Sequence, residues 1–274
     1  MIHKGIDMKI GNKSFDINKT HIMGILNVTP DSFSDGGRWN TVDGALHCAE
    51  RMINDGAAII DIGGESTRPN YTPISDDEEI RRTAPIIEAI KKAFDVPVSI
   101  DTYKSAVAHA ALHSGADMIN DIWGLKYDKK IADEAKRSDA AICLVHNRKK
   151  SVYNDFLDDV LSDLRSSINI ATKHGIALEK IITDPGIGFA KTYKENLIIT
   201  NNLDKLHELG CPILYGASRK SMIGNALDLP VDQRLEGTIA LSVLACMKGA
   251  MFVRVHDVKE NYRAVKMIET IIRQ

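Results

Sequence analysis

No stretch of the sequence reaches the ~18 uninterrupted apolar residues that a transmembrane helix needs, so no membrane span is expected. The amino-terminal segment MIHKGIDMKIGNKSFDI also lacks an apolar core long enough for a signal peptide. Cysteine is scarce. Cys48, Cys143, Cys211 and Cys246 are the only four, and none forms a Cys-x-x-Cys pair. That argues against a zinc site and a disulfide framework, and the four read as thiols of a reducing compartment, the cytoplasm. Excess charge is lacking too. A formal net charge of -2 gives no electrostatic reason to expect nucleic acid as a partner. Repeats, linkers and low-complexity tracts are missing, which leaves a single domain over residues 1–274.

What is present is ordinary soluble composition with an unusual order. Hydrophobic residues make up 44% and charged residues 26% of 274. Eight short apolar runs are spaced along the chain, at 21–27, 57–62, 96–101, 116–121, 140–146, 180–184, 212–216 and 250–256. Each is rich in Ile, Val or Leu and bounded by Gly, Pro or polar residues, as strands buried on both faces are. Amphipathic segments lie between them, at 43–54, 76–94, 103–113, 129–137, 155–174, 193–209, 231–248 and 258–272. The second opens with SDDEE, a Ser cap followed by acids. Strict alternation of eight strands and eight helices predicts an α/β fold, the closed (β/α)8 TIM barrel. An open doubly wound sheet is the alternative, but the first run leads into NVTPDSFSDGG rather than G-x-G-x-x-G. Residues 8–19 alternate apolar and polar around Gly11-Asn12, which predicts an N-terminal β-hairpin closing the bottom of the barrel. The longest loops are expected at 29–40 and 63–75.

Polar residues gather at the ends of the runs: Asn27, Asp61, Asp101, Asn120-Asp121, His146, Asp184, Ser218-Arg219-Lys220, Arg254 and His256. In a barrel these ends converge on the catalytic face. Any one of them could be a cap or a turn former; all eight strand ends together point to a site. Asp101, Asn120 and Asp184 can read a heterocycle that offers donors and acceptors, although interior salt bridges would use the same residues. Lys220, Arg254 and His256 put positive charge at the last two strands, the habitual phosphate site of this fold. GASRKSMIG lacks true Walker spacing. A Schiff-base role for Lys220 remains open at this point. Asn27 offers a neutral oxygen suited to Mg²⁺, which keeps most of its waters.

Seven stretches resemble the dihydropteroate synthase family, pterin-binding enzymes on a TIM barrel. They are IMGILNVTPDSFSDGG (22–37), DIGGESTRP (61–69), SIDTYK (99–104), MINDI (118–122), ITDPGIGFAK (182–191), GASRKSMIG (216–224) and RVHDV (254–258). The resemblance spans almost the whole chain, in family order. It implies a homodimeric, Mg²⁺-using enzyme. The implied reaction joins 6-hydroxymethyl-7,8-dihydropterin pyrophosphate to p-aminobenzoate through an SN1-like pterin cation. By resemblance, Asp101, Asn120, Ile122, Asp184, Arg219 and Lys220 hold the pterin. Asn27, Arg254 and His256 take the pyrophosphate, with Asn27 on the metal. Phe33, Thr67, Arg68, Pro69, Phe189 and Ser221 shape the p-aminobenzoate pocket. Asp101, Lys220, Arg254, His256 and Asp35 carry the catalysis, Asp35 by accepting a proton or ordering the loops.

One stretch departs from the family pattern. Where a Met-His-Met-like segment is usual, this chain reads Val145-His146-Asn147-Arg148. The rival readings are a pterin-binding methyltransferase on the same barrel and a non-catalytic pterin-binding paralogue. The first needs no pyrophosphate site, and the second would be expected to lose the terminal Arg-x-His or the p-aminobenzoate loop.

Overall fold

The computed structural model describes residues 7–28, 37–65 and 72–272, with side chains from residue 42 onward in the second stretch. Two strands, β1 (Met8–Ile10) and β2 (Lys13–Phe15), pair antiparallel ahead of the main sheet. Eight parallel strands follow: β3 (His21–Asn27), β4 (Ala57–Gly63), β5 (Val98–Asp101), β6 (Met118–Asp121), β7 (Ala141–Val145), β8 (Ile181–Asp184), β9 (Leu214–Tyr215) and β10 (Phe252–Val255). Their spatial order is β8-β7-β6-β5-β4-β3-β10-β9. A bridge between Thr183 and Ile213 joins β8 to β9 and closes the ring. The expected barrel is therefore present.

Period-2 alternation divides each strand between two cores. Ile60, Ile62, Ile100, Ile119, Ile142 and Leu144 face outward and pack on the helices, together with Ile86, Ile87, Ile90 and Val107. Met23, Ile59, Met118, Cys143, Ile182, Leu214 and Phe252 face inward. Met8, Ile10 and Phe15 of the hairpin join that inner cluster, so the hairpin plugs the barrel floor as its sequence pattern predicted. Phe15 meets Phe252 at a ring-centroid distance of 5.6 Å. Gly11 supplies the positive φ, 57°, that a tight two-residue hairpin turn requires.

Helices α1 (Gly37–Asn54), α2 (Asp76–Ala93), α3 (Ser105–His113), α4 (Lys130–Arg137) and α5 (Phe156–Lys173) match the expected amphipathic segments within a few residues, α1 excepted. The Ser75 side chain caps α2 by accepting from Glu78 N at 3.2 Å. Three expectations need correction. The loop expected at 29–40 is shorter, because residues 37–40 belong to α1. The segment 193–209 is not one helix: α6 (Tyr193–Asn201) stops, and 3-10 turns continue over Leu203–Leu209. Asn202 interrupts it by turning its side-chain Nδ2 onto Ile198 O at 2.8 Å, a bond that competes with helix propagation. Finally, alternation is not strict. A short extra helix, α7 (Ser221–Leu227), precedes α8 (Leu235–Met247) and α9 (Val258–Ile272), so nine helices stand among the described residues. Pro230 holds an extended backbone, and Arg234 bonds Leu229 O and Arg219 O, so the chain folds back before α8 begins. All four cysteines are free; Cys143, Cys211 and Cys246 are buried and Cys48 is half-buried.

Candidate active site

The inner row of each strand changes character as it rises. Ile59 gives way to Asp61, Met118 to Asn120, Ile182 to Asp184 and Phe252 to Arg254, two residues apart each time. Apolar floor and polar mouth follow from one register. The same parity sorts the strand-end residues. Asp121 and His146 lie one step out of phase, outside the barrel. Asp121 accepts from Trp123 N and Leu125 N at 2.8 and 2.6 Å, so it shapes a turn.

Arg254 is the hub of the mouth. Its Nε donates to Asp61 Oδ2 at 2.5 Å and its Nη2 to Asp101 Oδ2 at 2.6 Å. Asn120 Nδ2 reaches Asp61 Oδ2 at 3.4 Å. The other oxygens of these residues, Asp61 Oδ1, Asp101 Oδ1 and Asn120 Oδ1, are buried and make no hydrogen bond among the described residues. Orphaned buried acceptors cost roughly 1–3 kcal/mol each. Three together form a surface built to receive N–H donors from a ligand. Burial drives the Asp101 carboxyl up to about 7, against the pull of Arg254.

Two glycines show how the remaining residues meet. A Cβ on Gly63 would lie 3.6 Å from Asn27 Oδ1 and 3.8 Å from Asp101. A Cβ on Gly216 would lie 3.5 Å from Asp184 Oδ2 and 3.8 Å from the Arg254 Cβ. Asn27, Asp101, Arg254 and Asp184 thus come together at the barrel mouth. Asp184 Oδ1 accepts from Gly186 N at 2.6 Å, and burial raises its pKa. Lys220 Nζ donates to Ile187 O at 2.7 Å and sits 4.3 Å above the Phe189 ring. Burial pulls Lys220 down to about 8, which Asp184 partly offsets. Ile122 is buried just beyond β6. At the rim His256 Nδ1 lies 3.0 Å from Ser218 Oγ, which also accepts from His256 N at 3.2 Å.

Two residues sit differently from their assigned neighbours. Arg219 forks onto Asp257, Nε to Oδ2 at 3.0 Å, and so is held at the rim. Ser221 is exposed at the first turn of α7. Phe33, Asp35, Thr67, Arg68 and Pro69 lie outside the described residues. Sequence reasoning placed Asp61 at a strand end but gave it no role; its partnership with Arg254 was readable only from inward parity. Ser99 Oγ, deeper in the barrel and also unpartnered, was missed for the same reason. As for a metal, Asn27 presents a rim amide oxygen, and no cluster of three or more His, Cys, Asp or Glu that could hold an ion occurs among the described residues. That donor set fits Mg²⁺ held mostly by water and a phosphate ligand.

Such a mouth, acidic and amide acceptors below with cations at the last two strands, defines a barrel enzyme for a donor-rich heterocycle. The family described as pterin binding enzyme matches residues 23–256, and the chain belongs to that family. A dihydropteroate synthase of Clostridium beijerinckii is 57% identical over 269 residues, 97% of this chain and 100% of that one. A dihydropteroate synthase crystal structure from Clostridium difficile, in the presence of pteroic acid, superposes with a TM-score of 0.91 at 46% identity, covering 97% of this chain and 99% of that one. The Yersinia pestis enzyme in a sulfonamide complex gives 0.92 at 40%, covering 98% and 100%. Within the pterin binding enzymes, the chain belongs to the dihydropteroate synthases.

Proposed function

We propose that the chain condenses 6-hydroxymethyl-7,8-dihydropterin pyrophosphate with p-aminobenzoate to give 7,8-dihydropteroate and pyrophosphate. The observation that carries this reading is the set of three orphaned acceptors at the barrel mouth, matched to the 2-amino-pyrimidine edge of a pterin. Asp184 and Lys220 bracket the far side of the ring. Arg254, His256 and the N-terminus of α9, which starts at Val258, face the pyrophosphate. The C–O bond to pyrophosphate breaks and the leaving group keeps the electron pair. The methylene carbon, left positive, is stabilised by delocalisation into the pterin and by the carboxylates around it. The arylamine nitrogen then forms the C–N bond and gives up a proton. Bound Mg²⁺, held by Asn27, would neutralise charge on the departing group. Thr67, Arg68, Pro69, Phe33, Phe189 and Ser221 are assigned to the arylamine, the position that a sulfonamide would contest. Asp35 is assigned to the loops.

The enzyme is further proposed to act in the cytoplasm as one domain and as a homodimer. Among the described residues no helix is long and apolar enough to cross a membrane. Exposed Met247, Met267, Ile271 and Ile272 on α8 and α9 give a dimer an apolar face to cover.

The test is a coupled assay for pyrophosphate, with and without p-aminobenzoate. Mg²⁺-dependent release that requires the amine is expected; methyl transfer from a methyl-group donor in place of pyrophosphate release, or no release at all, would overturn the reading. A pH profile follows from the same site. Asp101 must ionise near 7 to accept from the ring, and Lys220 loses its proton near 8. kcat/KM for the pterin substrate should rise through about 7 and fall above about 8. Lys220→Met should change the alkaline limb, leaving the part set by other groups; a limb identical to that of the wild type contradicts the assignment.

A further inference from the structure

The loop after β8, residues 185–191, is wound around the ammonium of its own last residue. Lys191 Nζ donates to Gly186 O at 3.0 Å, to Phe189 O at 3.1 Å and to His146 Nδ1 at 2.8 Å. Those three acceptors match the three ammonium protons. His146 is fully buried, one residue past β7, and its Nε2 lies 3.0 Å from Asp163 Oδ2 on α5. Burial pushes His146 down to about 4. The ring is therefore neutral near pH 7, with Nδ1 accepting from Lys191 and Nε2–H donating to Asp163. Arg148 Nε holds the same carboxylate at 2.6 Å, which gives the unusual Asn147-Arg148 continuation a place in the fold. The loop cannot relax away from this arrangement by gaining a side chain at Gly186. Its φ is +69°, and a Cβ there would fall 1.9 Å from His146 O.

The same backbone also holds Asp184 and Lys220, the two residues assigned to the pterin ring. Gly186 N donates to Asp184 Oδ1, Ile187 O receives Lys220 Nζ, and the Phe189 ring lies under that ammonium. We propose that Lys191 is a positioning residue for the pterin site: its ammonium, oriented by His146 and Asp163, fixes the backbone of residues 186–189, and that backbone aims Asp184 and Lys220 at the ring. This rests on the pterin reading of the site given above. Lys191 itself touches no substrate. Burial lowers its pKa to about 7 against the pull of Asp184, so this ammonium, like that of Lys220, is lost on the alkaline side.

A merely structural lysine and a positioning lysine differ in what they move. In Lys191→Met, the apolar stem is kept and all three donors are lost. Its Kd and KM for the pterin pyrophosphate should rise at least ~tenfold, because a small misplacement of reacting groups is costly. KM for p-aminobenzoate should rise less than that for the pterin, because Phe189 is the one residue of the fixed backbone assigned to the amine. Methylammonium should partly restore pterin affinity to Lys191→Ala, and tetramethylammonium, which has no N–H, should not. Asp163→Asn provides a second variant that keeps side-chain volume, and it should raise pterin KM in the same direction but less. Unchanged pterin affinity in folded Lys191→Met overturns the proposal, as does a parallel rise of both KM values. If Lys191→Met does not fold, unchanged pterin KM in Asp163→Asn overturns it. Wild-type protein that binds the pterin pyrophosphate without turning it over sinks the functional reading instead, and the affinity comparison still stands.

Discussion

Arg254→Ala should lower turnover by at least ~10²-fold, as removal of a group that stabilises developing charge does. It should also unfold more easily. Arg254 neutralises Asp61 and Asp101, whose side chains are 0% and 8% exposed. Truncating one partner of a buried ion cluster strands the others, at a cost of roughly 3–5 kcal/mol. For a chain of this size that corresponds to a fall of about 10 °C in the melting midpoint. The two losses are separable. Adding Asp101→Asn to Arg254→Ala removes one of the two buried acidic groups left without their partner and should recover part of the stability without recovering activity. Coupling near zero in that double-mutant cycle would mean that the ion cluster is not what Arg254 holds together. Wild-type-like turnover in Arg254→Ala would remove it from the chemistry.

Lys104→Met should be comparably severe for a different reason. Lys104 Nζ lies 2.7 Å from Glu65 Oε2, 2.8 Å from Glu79 Oε2 and 2.8 Å from Ile74 O. Tyr103 donates to Glu65 Oε1 at 2.8 Å, and Ile74 N donates to Glu65 Oε2 at 2.9 Å. Both glutamates are buried, and burial already raises the pKa of Glu79 above its ordinary value. Without the ammonium, roughly 3–5 kcal/mol of stability should go at pH 7. The pH dependence has a definite sign. In the variant the folded-state pKa of Glu79 rises further above its unfolded value, so the native state binds more protons than the unfolded state. Stability then increases as pH falls, and the deficit against wild type should shrink between pH 7 and pH 5. Urea titrations at the two pH values measure this. An equal deficit at both would contradict the ion-cluster account.

Much of this was legible in the chain itself. Alternating apolar runs gave the barrel, since a strand buried on both faces has no polar side to show. The plug was legible because Met8, Ile10 and Phe15 alternate with polar residues about a Gly-Asn turn. Asn27, Asp101, Asn120, Asp184 and Arg254 are readable as strand ends, and the structure brings them together at the barrel mouth. What escaped were features set by tertiary contacts. Whether Asp61 or Asp121 faces inward depends on register, which a single short run does not reveal. The α6 break at Asn202 and the separate α7 depend on side chains that reach back to the main chain, as Arg234 does to Arg219 O. Lys191 looked like the end of a motif, and its role comes from a fold that brings it to His146, 45 residues away.

On the proposed reading, the unfilled acceptors of Asp61, Asp101 and Asn120 receive the amino-pyrimidine edge of a pterin. The most direct test of that reading compares the binding of 6-hydroxymethylpterin pyrophosphate with that of its analogue lacking the exocyclic 2-amino group. A site built on hydrogen bonds should bind the analogue at least ~10²-fold more weakly, because its buried oxygens stay unpaired. Equal affinity for the two ligands would contradict the account.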